Sequence, residues 1–220
     1  VKTNIPAYIH ITTASTHDVN GLDLLDFEEG GYYVLDRGYV DFNRLYKIHK
    51  KGAFFVTRAK SNNKVKRIYS AKADKDQGIL YDQQIKLEGA QSFKSYPEKF
   101  RRIKFYDAEQ KRTFIFITNN LELSAIEIAL LYKYRWKVEL FFKWIKQHLK
   151  LLSFWGTSKN AVKTQIYIAI ITYVLVAIIR AKLNLKMSNY EILQILSVSL
   201  LVKTQLNQLF QSPLSQDVKE

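Results

Sequence analysis

The chain has 220 residues, 47% of them hydrophobic, a formal net charge of +14, and no cysteine. That apolar content supports a sizeable core and excludes wholesale disorder. Without Cys there are no disulfides, thiol nucleophiles or thiolate metal sites, which fits a reducing cytoplasm.

The charge is uneven. Residues 58–112 carry 15 basic and 7 acidic side chains, and residues 132–163 carry 8 and 1. Two such segments point to a polyanion partner such as DNA; the bland alternative is a generic basic surface.

In chain order, "PAYIHITTA" at 6–14 reads as a strand. The segment "STHDVNGLDLLDF" reads as a short helix capped by Ser15 or Thr16, with Leu22, Leu24, Leu25 and Phe27 on its apolar face. No basic and apolar leader precedes this, so no signal peptide is expected. Sheet-like sequence from the first residues suggests a piece of a longer protein.

A turn at "GG" then leads into a short apolar strand at 32–35 that ends at Asp36. A helix follows, opened by Asp41 and closed by Gly52, and then a buried strand at 53–57. This β-α-β spacing predicts parallel pairing of 32–35 with 53–57. Asp36 could simply cap the segment after it, although Asp41 is the better cap.

Residues 61–120 change to short alternating runs with turn signals, including "DAEQKR", and predict a basic antiparallel β insertion. From Ser124 a helical period runs to about residue 152. Further helices are expected at 160–183, 188–201 and 202–211, and the tail "SPLSQDVKE" is expected to be loose. The run 165–179 is shorter than the roughly 20 apolar residues of a membrane span. Gln165 and Thr172 interrupt it, so it reads as a buried core helix packed on a sheet. The domain reading is 1–60 and 121–183 as two parts of one core, 61–120 as the insertion, and 184–220 as C-terminal helices and tail.

One basic run, "YKYRWKVELFFKWIKQ" at 132–147, holds a single carboxylate, Glu139. On a continuous helix at about 100° per residue, Tyr132, Arg135, Glu139 and Lys146 fall within about 60° of one another. Leu131, Tyr134, Val138, Phe142, Ile145 and Leu149 form the adjacent core stripe. A simple i±4 pair of Glu139 with Lys143 or Arg135 is the plain alternative, at about 0.2–0.5 kcal/mol. His10, His17, His49 and His148 show no ligand spacing.

Tyr132, Arg135, Glu139 and Lys146, with two, three and six residues between them, match the Y-R-E-K signature of bacterial insertion-sequence transposases. "VLDRGYVD" at 34–41 resembles the motif around the second catalytic Asp. Together they resemble the insertion sequence four family of DDE transposases. The resemblance implies an α/β fold: a ribonuclease H-like core, interrupted by the β-rich insertion and followed by C-terminal helices. It implies metal-dependent DNA strand cleavage and transfer with two divalent ions, Mg²⁺ or Mn²⁺, held by three carboxylates.

Asp36 matches the second carboxylate and Glu139 the third. Tyr132, Arg135 and Lys146 then stand at DNA near the cleaved phosphate, with Arg37 and Lys143 among the DNA contacts. The implied partners are transposon ends, target DNA and a second copy in a synaptic homodimer, with no membrane. The implied location is the bacterial cytoplasm, at the nucleoid. The first catalytic Asp belongs upstream of 6–14. Asp18, Asp23 and Asp26 lie instead in the helical segment, so this chain alone is expected to be catalytically incomplete. Some relatives also hold a flipped base with an aromatic of the insertion, a role open to Tyr69, Tyr81, Phe93, Tyr96, Phe105 or Tyr106. The competing reading is a non-enzymatic remnant that only binds DNA.

Overall fold

A computed structural model describes residues 5–6, 8–12, 18–61, 63–149, 151, 153–199, 201 and 203–210. The chain divides into two compact units: Thr12–Lys137, and Val1–Ile11 with Val138–Glu220.

The Thr12–Lys137 unit is built on one six-stranded sheet of order β1-β2-β6-β5-β4-β3. Strands β1 (Tyr32–Leu35) and β2 (Phe54–Arg58) are parallel, in register from Tyr32 opposite Phe54 to Leu35 opposite Thr57. Helix α1 (Phe42–Lys50) makes the crossover between them. Asp41 caps it, accepting the Arg44 backbone N–H at 3.0 Å. Gly52 follows the helix at φ +69°, a left-handed conformation that a side chain would strain. Its carbonyl accepts the Gly30 N–H at 2.9 Å, which aligns the two strand starts.

The basic segment supplies the short helix α2 (Ala90–Ser95) and four strands, β3 (Val65–Ala71), β4 (Ile79–Leu87), β5 (Phe100–Asp107) and β6 (Arg112–Thr118). The strands all pair antiparallel, and β6 also pairs antiparallel with β2, so they extend the same sheet. The predicted turn at "DAEQKR" is the β5–β6 connection. Asn119 prolongs the β2 edge with its side chain, accepting from the Phe55 N–H and donating to the Ala53 carbonyl.

Side-chain alternation divides the core between the two sheet faces. One face gathers Phe55, Ile85, Phe100 and Ile117 with Leu45 and Ile48 of α1 and the buried Tyr96. Leu22 and Phe27, from the 3-10 segment Asp18–Leu24 and just after it, join that face. Leu24, predicted apolar-in, is 52% exposed. The other face gathers Val56, Ile79, Ile103 and Phe116 with Ile128, Ala129 and Tyr132 of α3 (Ala125–Lys133). Ser124 and Glu127 form a reciprocal capping box at the α3 start.

Inside the sheet, Arg101 is buried and grips Asp82 with Nε at 2.7 Å and Nη2 at 2.5 Å, while Nη1 donates to the Leu123 carbonyl. Arg101 is thus an internal tie between β4, β5 and the segment before α3.

Three expectations are corrected. Pro6 and residues 8–12 do not form a strand; 7 and 13–16 lie outside the described residues. The helical period from Ser124 is not one helix: α3 ends at Lys133, and α4 (Trp136–His148) starts after a turn at 134–135. Three-residue hydrogen bonds make that turn, Arg135 N–H to the Tyr132 carbonyl and Lys137 N–H to the Tyr134 carbonyl. The predicted core stripe is therefore displaced: Tyr134, Val138 and Phe142 are exposed, whereas Phe141 and Tyr132 are buried. Ile145 keeps its predicted place in the core.

In the second unit, α4 packs Phe141 and Ile145 against Ala169, Ile170 and Tyr173 of α5 (Lys159–Lys182). Helices α6 (Asn189–Ser199) and the short α7 (Leu206–Leu209) follow; the tail from 211 lies outside the described residues. Within this unit α5 packs on helices, where a sheet had been expected. It is long and apolar enough to cross a membrane by length and composition, which for a single helix is weak evidence.

Removing one partner of a buried ion pair costs more than the pair contributes, because a bare charge remains inside. Asp82→Ala is expected to lower stability by about 3–5 kcal/mol, read from the urea midpoint. Lys66→Ala, on the same sheet but exposed, is expected to stay within about 0.5 kcal/mol.

Candidate active site

The parallel pair brings its carboxyl ends together, where open α/β sheets commonly place ligands. Asp36 follows the last β1 residue with extended backbone, φ −69° and ψ 159°. Its Oδ1 accepts the Gly38 N–H at 2.9 Å and caps the 3-10 turn Arg37–Tyr39. Its carbonyl accepts the Thr57 hydroxyl at 3.2 Å, a tie across the parallel pair. So Asp36 does cap a turn, as the plain reading held, but with one oxygen.

The other oxygen, Oδ2, faces two guanidiniums: Arg58 Nη2 at 3.5 Å and Arg135 Nη1 at 3.6 Å. Both arginines also stand over the Tyr132 ring, with centroid distances of 5.9 and 5.8 Å. Tyr132 is buried against Phe116, with centroids 4.9 Å apart. Burial pushes its pKa up, opposed by the positive Arg58 and Arg135. Ion pairs this long and partly exposed contribute only about 0–1 kcal/mol each, so stability does not explain why two guanidiniums gather on one carboxylate.

Arg58 was missed in the sequence reading. The signal was available: once 32–35 and 53–57 pair in parallel, the residue after the second strand lies beside the residue after the first. Arg37 is exposed on the 3-10 turn next to Asp36. Tyr132 and Arg135 come from α3 and the turn behind it. Glu139, Lys143 and Lys146 lie on α4 in the second unit; Glu139 is half-buried and the two lysines are exposed. Glu139 and Lys146, seven residues apart, share a face of that helix.

Beside Tyr132 opens a cavity of about 300 Å³ lined by Phe105, Phe114, Phe116, Tyr132 and Trp136 with Arg58, Arg112 and Arg135. Of the aromatics considered for a base, Phe105 lines it, while Tyr96 is buried in the core on the other face. The cavity rim is pinned by Lys133, which reaches Asp107 at 3.3 Å and Glu109 at 3.2 Å on the β5–β6 turn.

The residue model of the transposase DDE domain family matches 1–175, most of the chain, with the Asp36 motif and the Tyr132–Glu139 run inside the match. The chain belongs to the transposase DDE domain family. It is 36% identical over 183 residues to "Putative transposase y4zB" of Sinorhizobium fredii, covering 81% of this chain and 51% of that protein. It is 32% identical over 175 residues to "Probable transposase for insertion sequence element IS5377" of Geobacillus stearothermophilus, covering 78% of this chain and 45% of that protein. The matched part of this transposase domain thus spans about half the length of these curated relatives.

The donor chemistry at Asp36 suits a hard divalent ion, which accepts few protein carboxylates and shares phosphate oxygens. Asp36 provides one such ligand. No group of three or more His, Asp or Glu close enough to hold an ion occurs among the described residues. Asp23 in particular is engaged elsewhere: hydrogen bonds from Arg44 and then Lys47 pull its pKa down to about 2.

Burial works to raise the Asp107 pKa, but the Gln110 and Glu109 N–H groups and Lys133 outweigh it and hold it below the usual carboxylate range. A depressed carboxylate contributes stability above its unfolded pKa and loses it as pH falls through the folded value. Asp107→Asn is expected to cost about 1–2 kcal/mol at neutral pH. Melting profiles of the two proteins against pH are expected to converge on the acid side of about pH 4; a constant gap down to acid pH would refute the assignment.

Proposed function

We propose that this chain is the catalytic part of an insertion-sequence transposase of the insertion sequence four type. It binds DNA and carries out metal-dependent strand cleavage and transfer, with a ribonuclease H-like core carrying Asp36 and Glu139. The observation that carries this reading is the meeting of Asp36, at the end of β1, with Arg135 and Tyr132 of the Y-R-E-K run.

In this reading Asp36 and Glu139 hold Mg²⁺ or Mn²⁺ together with a third carboxylate from another part of the whole protein. When bound, the two ions supply activation of a water or 3′-hydroxyl and stabilise the leaving oxygen. The chain's own side chains do the positioning. The Arg58 and Arg135 guanidiniums match a phosphate in bidentate geometry and leave Asp36 Oδ2 for the DNA. Arg37, Lys143 and Lys146 add point contacts along the backbone. Packing on Phe116 holds Tyr132 in place, and the aromatic cavity beside it suits a base lifted from the stack. The protein works in the bacterial cytoplasm at the nucleoid, on transposon ends and target DNA, as a synaptic homodimer. The second reading, a DNA-binding remnant, draws on the described residues holding no group of three or more His, Asp or Glu close enough to hold an ion.

In the full-length protein, Asp36→Asn and Glu139→Gln are each expected to reduce Mg²⁺-dependent cleavage of transposon-end DNA on the order of 10²–10³-fold or more. Binding in a gel-shift assay is expected to persist. Undiminished cleavage in either variant sinks its assigned role, and a full-length wild type that binds but never cuts selects the remnant.

A further inference from the structure

Thr57 is fully buried on β2, and Leu35 stands opposite it as the last register pair of the parallel strands. Asp36 lies one residue beyond that pair, where the chain turns. Two bonds shape the turn from within. The Asp36 carbonyl accepts the Tyr39 N–H at 3.0 Å, and Oδ1 accepts the Gly38 N–H at 2.9 Å. Both stay inside residues 36–39, so they move with the turn. Lys60 fastens its far end, donating to the Val40 carbonyl at 2.8 Å. At the near end the Thr57 hydroxyl donates to the Asp36 carbonyl at 3.2 Å and refers Asp36 to the sheet.

Successive residues of a strand face opposite sides of the sheet. Thr57 and Arg58 therefore address Asp36 from opposite sides, one at the backbone carbonyl and the other at Oδ2. Oδ1 is engaged by the Gly38 N–H, so Oδ2 is the oxygen turned to the two guanidiniums. A small hard ion such as Mg²⁺ demands near-ideal geometry. A carboxylate that meets it through one oxygen has to be held within about 0.5 Å, from its backbone upward.

Stability does not call for this hydroxyl. The Asp36 carbonyl keeps the Tyr39 N–H without it, and Val matches Thr in shape and in strand preference. The plain alternative is a buried hydroxyl satisfied by the nearest carbonyl. On that alternative the Asp36 carboxylate would be indifferent to Thr57→Val.

We propose that Thr57 is a positioning residue for strand cleavage: its hydroxyl fixes the Asp36 backbone so that Oδ2 is placed to meet a divalent ion. The proposal rests on the role given to Asp36 above.

The test uses the full-length protein on pre-cut transposon-end DNA, so that it reads binding and not turnover. Mn²⁺ is the probe, and electron paramagnetic resonance of the free ion gives the affinity. Thr57→Val is expected to weaken Mn²⁺ binding about 10- to 100-fold and to melt close to the wild type. Thr57→Ser keeps the hydroxyl and is expected to restore the affinity. Thr118 is equally buried, but its hydroxyl accepts the Asn120 N–H at 3.0 Å. Thr118→Val is therefore expected to lower the melting temperature and leave Mn²⁺ affinity alone. Gel shifts in EDTA are expected to match the wild type throughout. Where Thr57→Val does not fold, Thr57→Ala and Thr57→Ser, which differ by the hydroxyl alone, take its place.

Mn²⁺ affinity in Thr57→Val equal to the wild type overturns the proposal. So does a loss that Thr57→Ser does not relieve, or one that Thr118→Val reproduces. In each of these the wild type still binds Mn²⁺ and Asp36→Asn still loses it, so the reading at Asp36 stands. Mn²⁺ binding that Asp36→Asn leaves intact overturns both.

Discussion

The parallel pairing of β1 with β2 is the constraint on which the Thr12–Lys137 unit depends. Parallel strands need a crossover, and α1 provides it, started by the Asp41 cap and stopped at Gly52. Because both strands run the same way, their carboxyl ends coincide, and Asp36 and Arg58 meet there although 22 positions separate them. An antiparallel pair would have placed them at opposite ends of the sheet. The Thr57 hydroxyl on the Asp36 carbonyl fastens the same junction.

The positive charge of the unit sorts into distinct physical roles. Arg101 is internal, its guanidinium satisfied by Asp82 and the Leu123 carbonyl. Arg44 and Lys47 hold Asp23 and tie the 3-10 segment to α1. Lys133 pins the β5–β6 turn to α3. Arg58 and Arg135 converge on one carboxylate oxygen and one tyrosine ring, and Arg102 and Lys104 flank another tyrosine on the opposite sheet face. Net charge alone points to a polyanion but treats all these cations alike; only their partners separate structural cations from those able to meet phosphate.

Where sequence reading was accurate, local physics decided the outcome. Asp41 and Ser124 were recognisable as helix starts because a side-chain oxygen three residues before a free N–H is a local arrangement. The β1-α1-β2 unit was recognisable from its spacing, and the β5–β6 turn from its composition. Where reading failed, the deciding interactions were not local. The run from Ser124 to His148 has continuous helical composition, yet the chain turns at Tyr134 and Arg135. Packing of Ile128, Ala129 and Tyr132 on the sheet holds α3, and Phe141 and Ile145 belong to a different core. A single helical wheel cannot represent two helices with separate cores, so Phe142 and Val138 were placed inside while they are exposed.

By itself, the sequence determined the family, the order of elements, the caps, and the identity of Asp36, Tyr132 and Arg135 as residues worth joining, because motif spacing and turn chemistry are properties of neighbouring residues. Tertiary structure alone decided that Arg58 joins Asp36, that Arg101 is buried with Asp82, and that Tyr81, Arg102, Lys104 and Tyr106 share one sheet face. Each of those follows from strand pairing between distant segments, where a change of register by one residue would send every side chain to the other side of the sheet.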